Sequence, residues 1–413
     1  MSRLVDLPGY LRLWTASTVS CFGTYVTILA LQILAAVTLH ATAFELGVLS
    51  AARWLPYLLF GLVAGVLVDR YRRKPILVGT DLGRAALLGM IPLLYLADRL
   101  TMTALVVFVF AFGTLSLVFE AANQSYLPRL VPRELLASAN ARLQQSDSVA
   151  QTTGPLLGGI LVKAVGAPVA MLVDAASYLA SGLLLASITD PEPVRRAERR
   201  DLRAELREGL SWVYRHRTLG PMALTSHGRF LFTGMLSTVY VLYVLRELDI
   251  GALGLGITYA CAGVGAVLGT TFSTWAGRRF DVGPTMVASR ALAPLAWMVV
   301  PLTTAGPGAL WAVSAAQFVL WLGLGTEGPT EMGYRQSVTP DRLQGRMNAT
   351  IRSLNWGVIA IGAPLGGLLA DTAGYRTALW IAIAGLALSV LALAFSRFRD
   401  ATLADALETA PGA

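Results

Sequence analysis

Twelve apolar runs, each close to 20 residues long, divide this chain from end to end. They lie at about 14–38, 46–68, 75–97, 102–123, 146–165, 168–189, 222–245, 253–275, 284–304, 308–329, 351–371 and 375–396. A hydrocarbon layer about 30 Å thick is crossed by roughly 20 residues of helix. A membrane β-barrel would instead show short segments of alternating polarity. These runs are continuous and rich in Leu and Ala, so they predict an all-α membrane protein with twelve transmembrane helices. Only 14% of the residues are charged and 55% are hydrophobic, where a soluble domain has roughly a quarter charged. The N-terminal MSRLVDLPGYLRL leads straight into a run long enough to span, so no cleaved signal peptide is expected. Cys21 and Cys261 both fall inside predicted helices, which argues against a disulfide framework.

The net charge of +8 would suit a nucleic-acid partner, but its distribution argues against one. With alternating sides, 25 of the 33 Lys and Arg collect on one side. Arg99, Lys163, Arg246 and Arg376 lie on the other, and Arg53, Arg84, Arg229 and Arg290 lie inside runs. The bias places the basic side, with both termini, in the cytoplasm of a cell (inner) membrane. The longest polar stretch, 190–219, parts the runs six and six. The expected organisation is therefore an N-terminal six-helix bundle at 1–189, a cytoplasmic linker at 190–219, a C-terminal six-helix bundle at 220–397 and a cytoplasmic tail at 398–413. Within the linker, Leu202, Leu206, Leu210 and Val213 recur at helical spacing and predict an amphipathic helix at the interface.

The two halves resemble each other. LVPRELLASANARL (130–143) aligns with VTPDRLQGRMNATI (338–351), and Gly158 and Gly159 align with Gly366 and Gly367. Gly61 and Gly65 likewise match Gly265 and Gly269, and a basic cluster follows each pair. An even number of spans per half makes this a parallel repeat about an axis along the membrane normal.

Between the second and third runs stands GVLVDRYRRK (65–74), five formal charges in six residues. Gly65-x-Leu67-x-Asp69-Arg70-x-x-Arg73-Lys74 resembles the G-x-L-A-D-R-x-G-R-[RK] motif of the major facilitator superfamily. Val68 replaces the usual Ala, and Arg72 the usual Gly. AARWLP (51–56), DLGRA (81–85), GPLLGG (154–159), VDAASYLASGLLL (173–185) and LADTAGYRTAL (369–379) resemble the branch that holds macrolide and tetracycline-type drug exporters and the enterobactin exporter. The resemblance covers essentially the whole chain and implies the major facilitator fold and a secondary active transporter.

The resemblance further implies a conformational latch formed by Gly61, Gly65, Asp69, Arg70, Arg73 and Glu120. In it Asp69 would accept N–H bonds from the start of the eleventh helix, Gly61 and Gly65 would let the two helices approach, and Arg73 would pair with Glu120. The alternative reading is a set of positive-inside anchors. Asp81 and Arg84, about 9 and 13 Å into the third helix, stand three apart and are expected to neutralise each other. Arg53 and Asp174, about 10 and 9 Å from the outer ends of their helices, are expected to serve an outer structural or gating role. Central-cavity helices implied by the resemblance offer Tyr25, Phe112, Arg229, Phe230, Tyr240, Gln317, Trp321 and Glu331 as substrate contacts; aromatics with a few polar groups suit a bulky amphipathic ligand. Glu120, Asp147, His227 and Glu327 are the candidates for proton coupling. Gly154, Pro155, Gly158 and Gly159 resemble the exporters' GP-x-x-GG motif; packing of a kinked helix is the alternative.

Other classes fail on motifs. Lys74 precedes Pro and Lys163 precedes Ala, so there is no phosphate-binding GxxxxGK[ST]. The three His precede Ala41, Arg217 and Gly228, so no HExxH zinc site exists. The expected function is proton-coupled efflux of a bulky amphipathic small molecule such as an antibiotic, by alternating access. A siderophore exporter, a lysophospholipid flippase and a nutrient importer stay open on the same fold. No enzyme activity, cofactor or metal is expected. The expected partners are substrate, protons and the lipid bilayer, and the chain is expected to be a monomer.

Overall fold

The computed structural model describes residues 4–69, 71–189 and 202–402. Thirteen α-helices and no strand occur among them. The first six are α1 (Pro8–Ile33), α2 (Ala43–Asp69), α3 (Arg73–Leu96), α4 (Met102–Leu130), α5 (Leu136–Val165) and α6 (Ala167–Ala186). A short α7 (Leu202–Arg215) is followed by α8 (Leu219–Leu242), α9 (Gly251–Phe280), α10 (Val282–Leu302), α11 (Ala309–Ser337), α12 (Asp341–Ala373) and α13 (Tyr375–Ala394). Ten of the described helices are long and apolar enough to cross a membrane: α1, α3, α4, α6 and α8 to α13. The other two long helices, α2 and α5, have 27 and 30 residues. The first half of α5, LASANARLQQSDSVAQTT, is polar enough to explain its lower hydropathy. Pro155 does not break α5, nor does Pro364 break α12. Arg70, the side chain of Asp69 and the packing of Gly65 lie outside what the structure describes.

Two compact units result. The first comprises Met1–Ala41 with Ala52–Arg200, the second Thr42–Ala51 with Asp201–Ala413. In the first, α1 packs on α5 and α6, and α3 packs on α4 and α6. In the second, α8 packs on α12 and α13, and α10 on α11 and α13. The same contact scheme is thus built twice. The backbone repeats with it. π-helical turns at Leu34–Thr38 and Tyr243–Glu247 end α1 and α8, and each leads to a left-handed residue, His40 (φ 51°) or Asp249 (φ 50°). Gly166 (φ 82°) and Gly374 (φ 86°) turn α5 into α6 and α12 into α13. Glycine takes this conformation without the Cβ penalty of other residues.

Close helix approach accounts for the matched glycines. A Cβ on Gly154 would lie 2.5 Å from Tyr25 Cβ, and one on Gly158 would lie 3.2 Å from Val26 Cα, so α5 meets α1 almost backbone to backbone. Gly366 does the same for α12 on α8, with a Cβ only 2.5 Å from Met235 Cα. Between apolar helices in lipid, such packing replaces the hydrophobic drive that water supplies elsewhere. The outward flanks stay apolar: Leu183 is 61% exposed and Leu388 65%.

The short α7 docks on its own unit. Val213 is fully buried and Leu210 stays exposed, so only part of the apolar stripe faces protein. Its acidic side holds α12 through Glu208–Arg342 (2.6 Å), Glu205–Arg346 (3.1 Å) and a further Glu208–Arg346 pair. Trp212 Nε1 donates to Thr339 Oγ1 at 3.3 Å.

Candidate functional site

Within the second unit, five charged side chains meet where α8, α10 and α11 converge. Arg290 on α10 is 2% exposed, and its guanidinium is bonded on three sides. Nε donates to Glu327 Oε1 at 2.7 Å, one terminal nitrogen to Thr225 Oγ1 at 3.1 Å, and the other to Ser226 Oγ at 2.7 Å and Glu331 Oε2 at 3.3 Å. Glu331 also pairs with Arg335 one turn along α11. Arg229 Nε stands 3.6 Å from Glu327 Oε1 and makes no hydrogen bond. Its guanidinium instead lies over the Phe230 ring, 4.4 Å from the centroid. Phe230 meets Trp356 edge-on at 5.5 Å. Glu327 is 2% exposed, and its Oε2 has no hydrogen-bond partner among the described residues. Bare carboxylates and guanidinia at such depth are costly, so pairing on this scale is what a membrane interior requires.

His227 sits beside this cluster and ties it to α7. Its Nδ1 donates to Asn355 Oδ1 at 2.7 Å, and its Nε2 accepts from the Tyr214 hydroxyl at 2.7 Å. At the α7–α8 corner, His216 Nδ1 accepts the backbone N–H groups of Thr218 and Leu219 at 3.3 Å each. Burial holds His216 below the usual imidazole value.

The first unit carries a second polar cluster. Asp81 and Arg84 pair within α3, as their spacing requires. Ser181 Oγ on α6 donates to Asp81 Oδ2 at 2.6 Å. Arg84 is held between the rings of Phe119 and Tyr178, each centroid 4.3 Å away. The Tyr178 hydroxyl bonds Thr24 Oγ1 at 2.7 Å. Phe112 meets the Tyr178 ring edge-on at 5.8 Å. Asp174 is fully buried, with Ser177 Oγ donating to it at 2.9 Å. On the α1–α5 seam, Asp147 Oδ1 accepts Cys21 Sγ at 2.9 Å and the Tyr25 hydroxyl at 3.3 Å. Glu120 Oε1 accepts the Tyr57 hydroxyl at 2.8 Å, and Arg73 is buried at the start of α3.

The structure therefore brings Arg229, Glu327 and Glu331 into one cluster, with His227 and Phe230 next to it. Glu331 is consumed by two arginines rather than left open to a ligand. Tyr240 is a packing residue: its hydroxyl donates to Thr258 Oγ1 at 2.7 Å and its ring meets Trp297 edge-on at 5.5 Å. Gln317 is buried in the same unit and Trp321 half-buried. The second-half counterparts of the latch motif's glycines pack locally. In the second unit, Cβ atoms on the matching Gly265 and Gly269 would strike the carbonyls of Phe318 and Leu322 on α11. Gly265 and Gly269 thus serve contact inside the second unit.

Two groups escaped the sequence reading. Arg290 was visible only as an arginine inside an apolar run, with partners on two other helices. Asp371, near the end of α12, accepts the N–H groups of Ala43 and Phe44 at 2.9 and 2.8 Å and so caps α2, whose Thr42 and Glu45 form a reciprocal capping box. Only the T-x-x-E spacing of that box is readable in the sequence.

Comparison with known proteins gives a consistent result. The family model described as MFS_3, transmembrane secretion effector, matches residues 8–411. The MFS-type transporter YfiS of Bacillus subtilis is 28% identical over 249 residues, 59% of this chain and 56% of YfiS. The multidrug efflux pump Tap of Mycolicibacterium fortuitum is 26% identical over 411 residues, 96% of this chain and 98% of Tap. Among solved structures, a bacterial homologue of the iron transporter ferroportin in an inward-facing state superposes with a TM-score of 0.74 at 14% identity, covering 97% of this chain and 100% of that one.

Proposed function

We propose that this chain, which belongs to the MFS_3 transmembrane secretion effector family of major facilitator transporters, exports bulky amphipathic small molecules by proton-coupled antiport. It is a multi-pass membrane protein of the cell membrane and a transporter rather than an enzyme. The full-length similarity to a multidrug efflux pump supports export. In this reading the chain spans the membrane twelve times in two six-helix bundles, and the positive-inside bias supports both termini in the cytoplasm.

The observation that carries the coupling is the Arg290 cluster. Glu327 holds one oxygen on Arg290 and keeps the other unbonded in a buried site. A proton on that second oxygen would discharge Glu327 and loosen its hold on Arg290 and Arg229. Arg229, stacked on Phe230, would then be free to meet a polar group of the substrate, with Trp356 against the apolar body. Cycling between the two charge states is a route to alternate access driven by a proton gradient.

The test expresses the chain in an efflux-deficient bacterium and measures accumulation of macrolides, tetracyclines, siderophores and lysolipids. Lowered accumulation of an amphipathic drug, lost in Glu327→Gln at equal membrane abundance, is the expected result. Counterflow of a sugar or amino acid with no effect on the panel would sink the exporter reading.

A further inference from the structure

The short α7 divides its charges between two sides. Glu205 and Glu208 turn inward, where Arg342 and Arg346 of α12 neutralise them. Gly209 and Val213 share that side. A Cβ on Gly209 would lie 3.0 Å from Thr350 Oγ1, and Val213 is fully buried. At about 100° per residue, Arg207 and Leu210 fall on the opposite side, and Arg215 flanks them two turns along. All three are exposed, as is Arg217 just past the end of the helix. The two acids are taken up by α12, so Arg207, Arg215 and Arg217 have no carboxylate in ion-pair range among the described residues.

The neighbours of α7 fix its depth. It packs along residues 339–350, ahead of the apolar run 351–371 that carries α12 through the membrane. Gly209 stands beside Thr350, one residue before that run. Residues 216–218 alone join α7 to the spanning α8. The helix therefore lies at the level of the lipid head groups. On the cytoplasmic side these include anionic lipids, whose negative potential draws Lys and Arg. Arginine keeps its charge at any physiological pH. Arginines beside an exposed leucine are the pairing that suits the boundary between head groups and acyl chains.

We infer that the exposed side of α7 docks anionic phospholipid, with head-group phosphates on Arg207, Arg215 and Arg217 and Leu210 at the acyl boundary. The planar fork of each arginine suits paired bonds to a phosphate. An acidic protein segment would also meet the charges, but Leu210 and the depth of the helix favour lipid. The inference rests on the cytoplasmic placement of the linker proposed above. It does not depend on the direction of transport or on proton coupling.

The test follows amide exchange across 207–215 in the full-length protein. Nanodiscs of phosphatidylcholine are compared with nanodiscs carrying increasing fractions of phosphatidylglycerol. Exchange should slow saturably with phosphatidylglycerol in wild type, and the effect should shrink as salt is raised. Arg207→Gln and Arg215→Gln should each weaken the apparent affinity about fivefold, and together about thirtyfold, as expected for basic residues near a charged surface. Lysine at both positions should keep much of the response, because the net charge is retained. Thermal unfolding identifies any variant that fails to fold, and the single variants carry the test if the double one fails. Equal exchange in the two lipids, or an undiminished response in folded Arg207→Gln/Arg215→Gln, overturns the proposal. Slowing that follows protein concentration in lipid-free micelles overturns it too, since a second copy of the chain would then cover this side. Drug efflux is not part of the readout, so a failed export assay leaves the result standing.

Discussion

Replacing Arg290 by Met should destabilise the second unit more than any other single truncation in the cluster. The change removes a guanidinium that bonds Glu327, Glu331, Thr225 and Ser226 at once. Methionine fills much of the stem volume, so the loss is electrostatic more than steric. Glu327 would then keep only Arg229 at 3.6 Å, in a site where it is 2% exposed. Breaking a buried ion pair by removing one partner costs about 3–5 kcal/mol. For a folding unit of roughly 150–250 residues, each kcal/mol moves the midpoint by about 2–4 °C, so a fall of about 6–20 °C is expected. The assay is thermal unfolding of purified protein in one detergent, read by loss of the monodisperse peak. Glu327→Gln alone should cost less, because Arg290 keeps Glu331 and two hydroxyls. The double variant should recover a good part of the loss, giving a coupling above about 1 kcal/mol in the cycle. Unchanged stability in Arg290→Met, or losses that simply add in the double variant, would refute the reasoning.

Other outcomes follow from separate contacts. Asp371→Ala removes the acceptor of two N–H groups at the start of α2 and should cost about 1–2 kcal/mol, read as amide exchange at residues 43–47 about 5–30-fold faster; exchange at the wild-type rate would contradict the cap. The folded value of His216 is lowered, so the unfolded chain takes up the proton first as pH falls. The α7–α8 corner should be stable above about pH 6.5 and weaken below it. Amide exchange at 216–222, corrected for intrinsic rates, should show that trend in wild type and lose it in His216→Asn. Gly366→Leu should abolish folded, monodisperse protein, because its Cβ would lie 2.5 Å from Met235 Cα; a normal elution profile would contradict the close approach of α12 and α8.

The helices were legible because apolar length alone dictates them in a membrane. The duplication was legible too, through Gly158 with Gly366 and Pro132 with Pro340, and it reappears as paired left-handed turns at His40 with Asp249 and Gly166 with Gly374. Asp81 and Arg84 could be paired from sequence because the partners are one turn apart on one helix. Arg290 could not, since Ser226 and Glu327 lie 64 and 37 residues away on different helices. Only packing brings them together. Tyr240 shows the converse limit. An aromatic in a cavity-lining helix looks like a contact, yet the rotation of α8 turns it toward Thr258 and Trp297. Rotation about the helix axis is what an apolar run with polar residues on several faces leaves undetermined.

The central claim is that a proton gradient drives export through the Arg290 cluster. Its direct measurement uses proteoliposomes holding the purified chain and a fluorescent amphipathic drug that the cell assay identifies as exported. An imposed pH gradient should accelerate drug movement against its own gradient in wild type and have no effect in Glu327→Gln, whose downhill exchange persists. Equal acceleration in both, or none in wild type, would contradict the account.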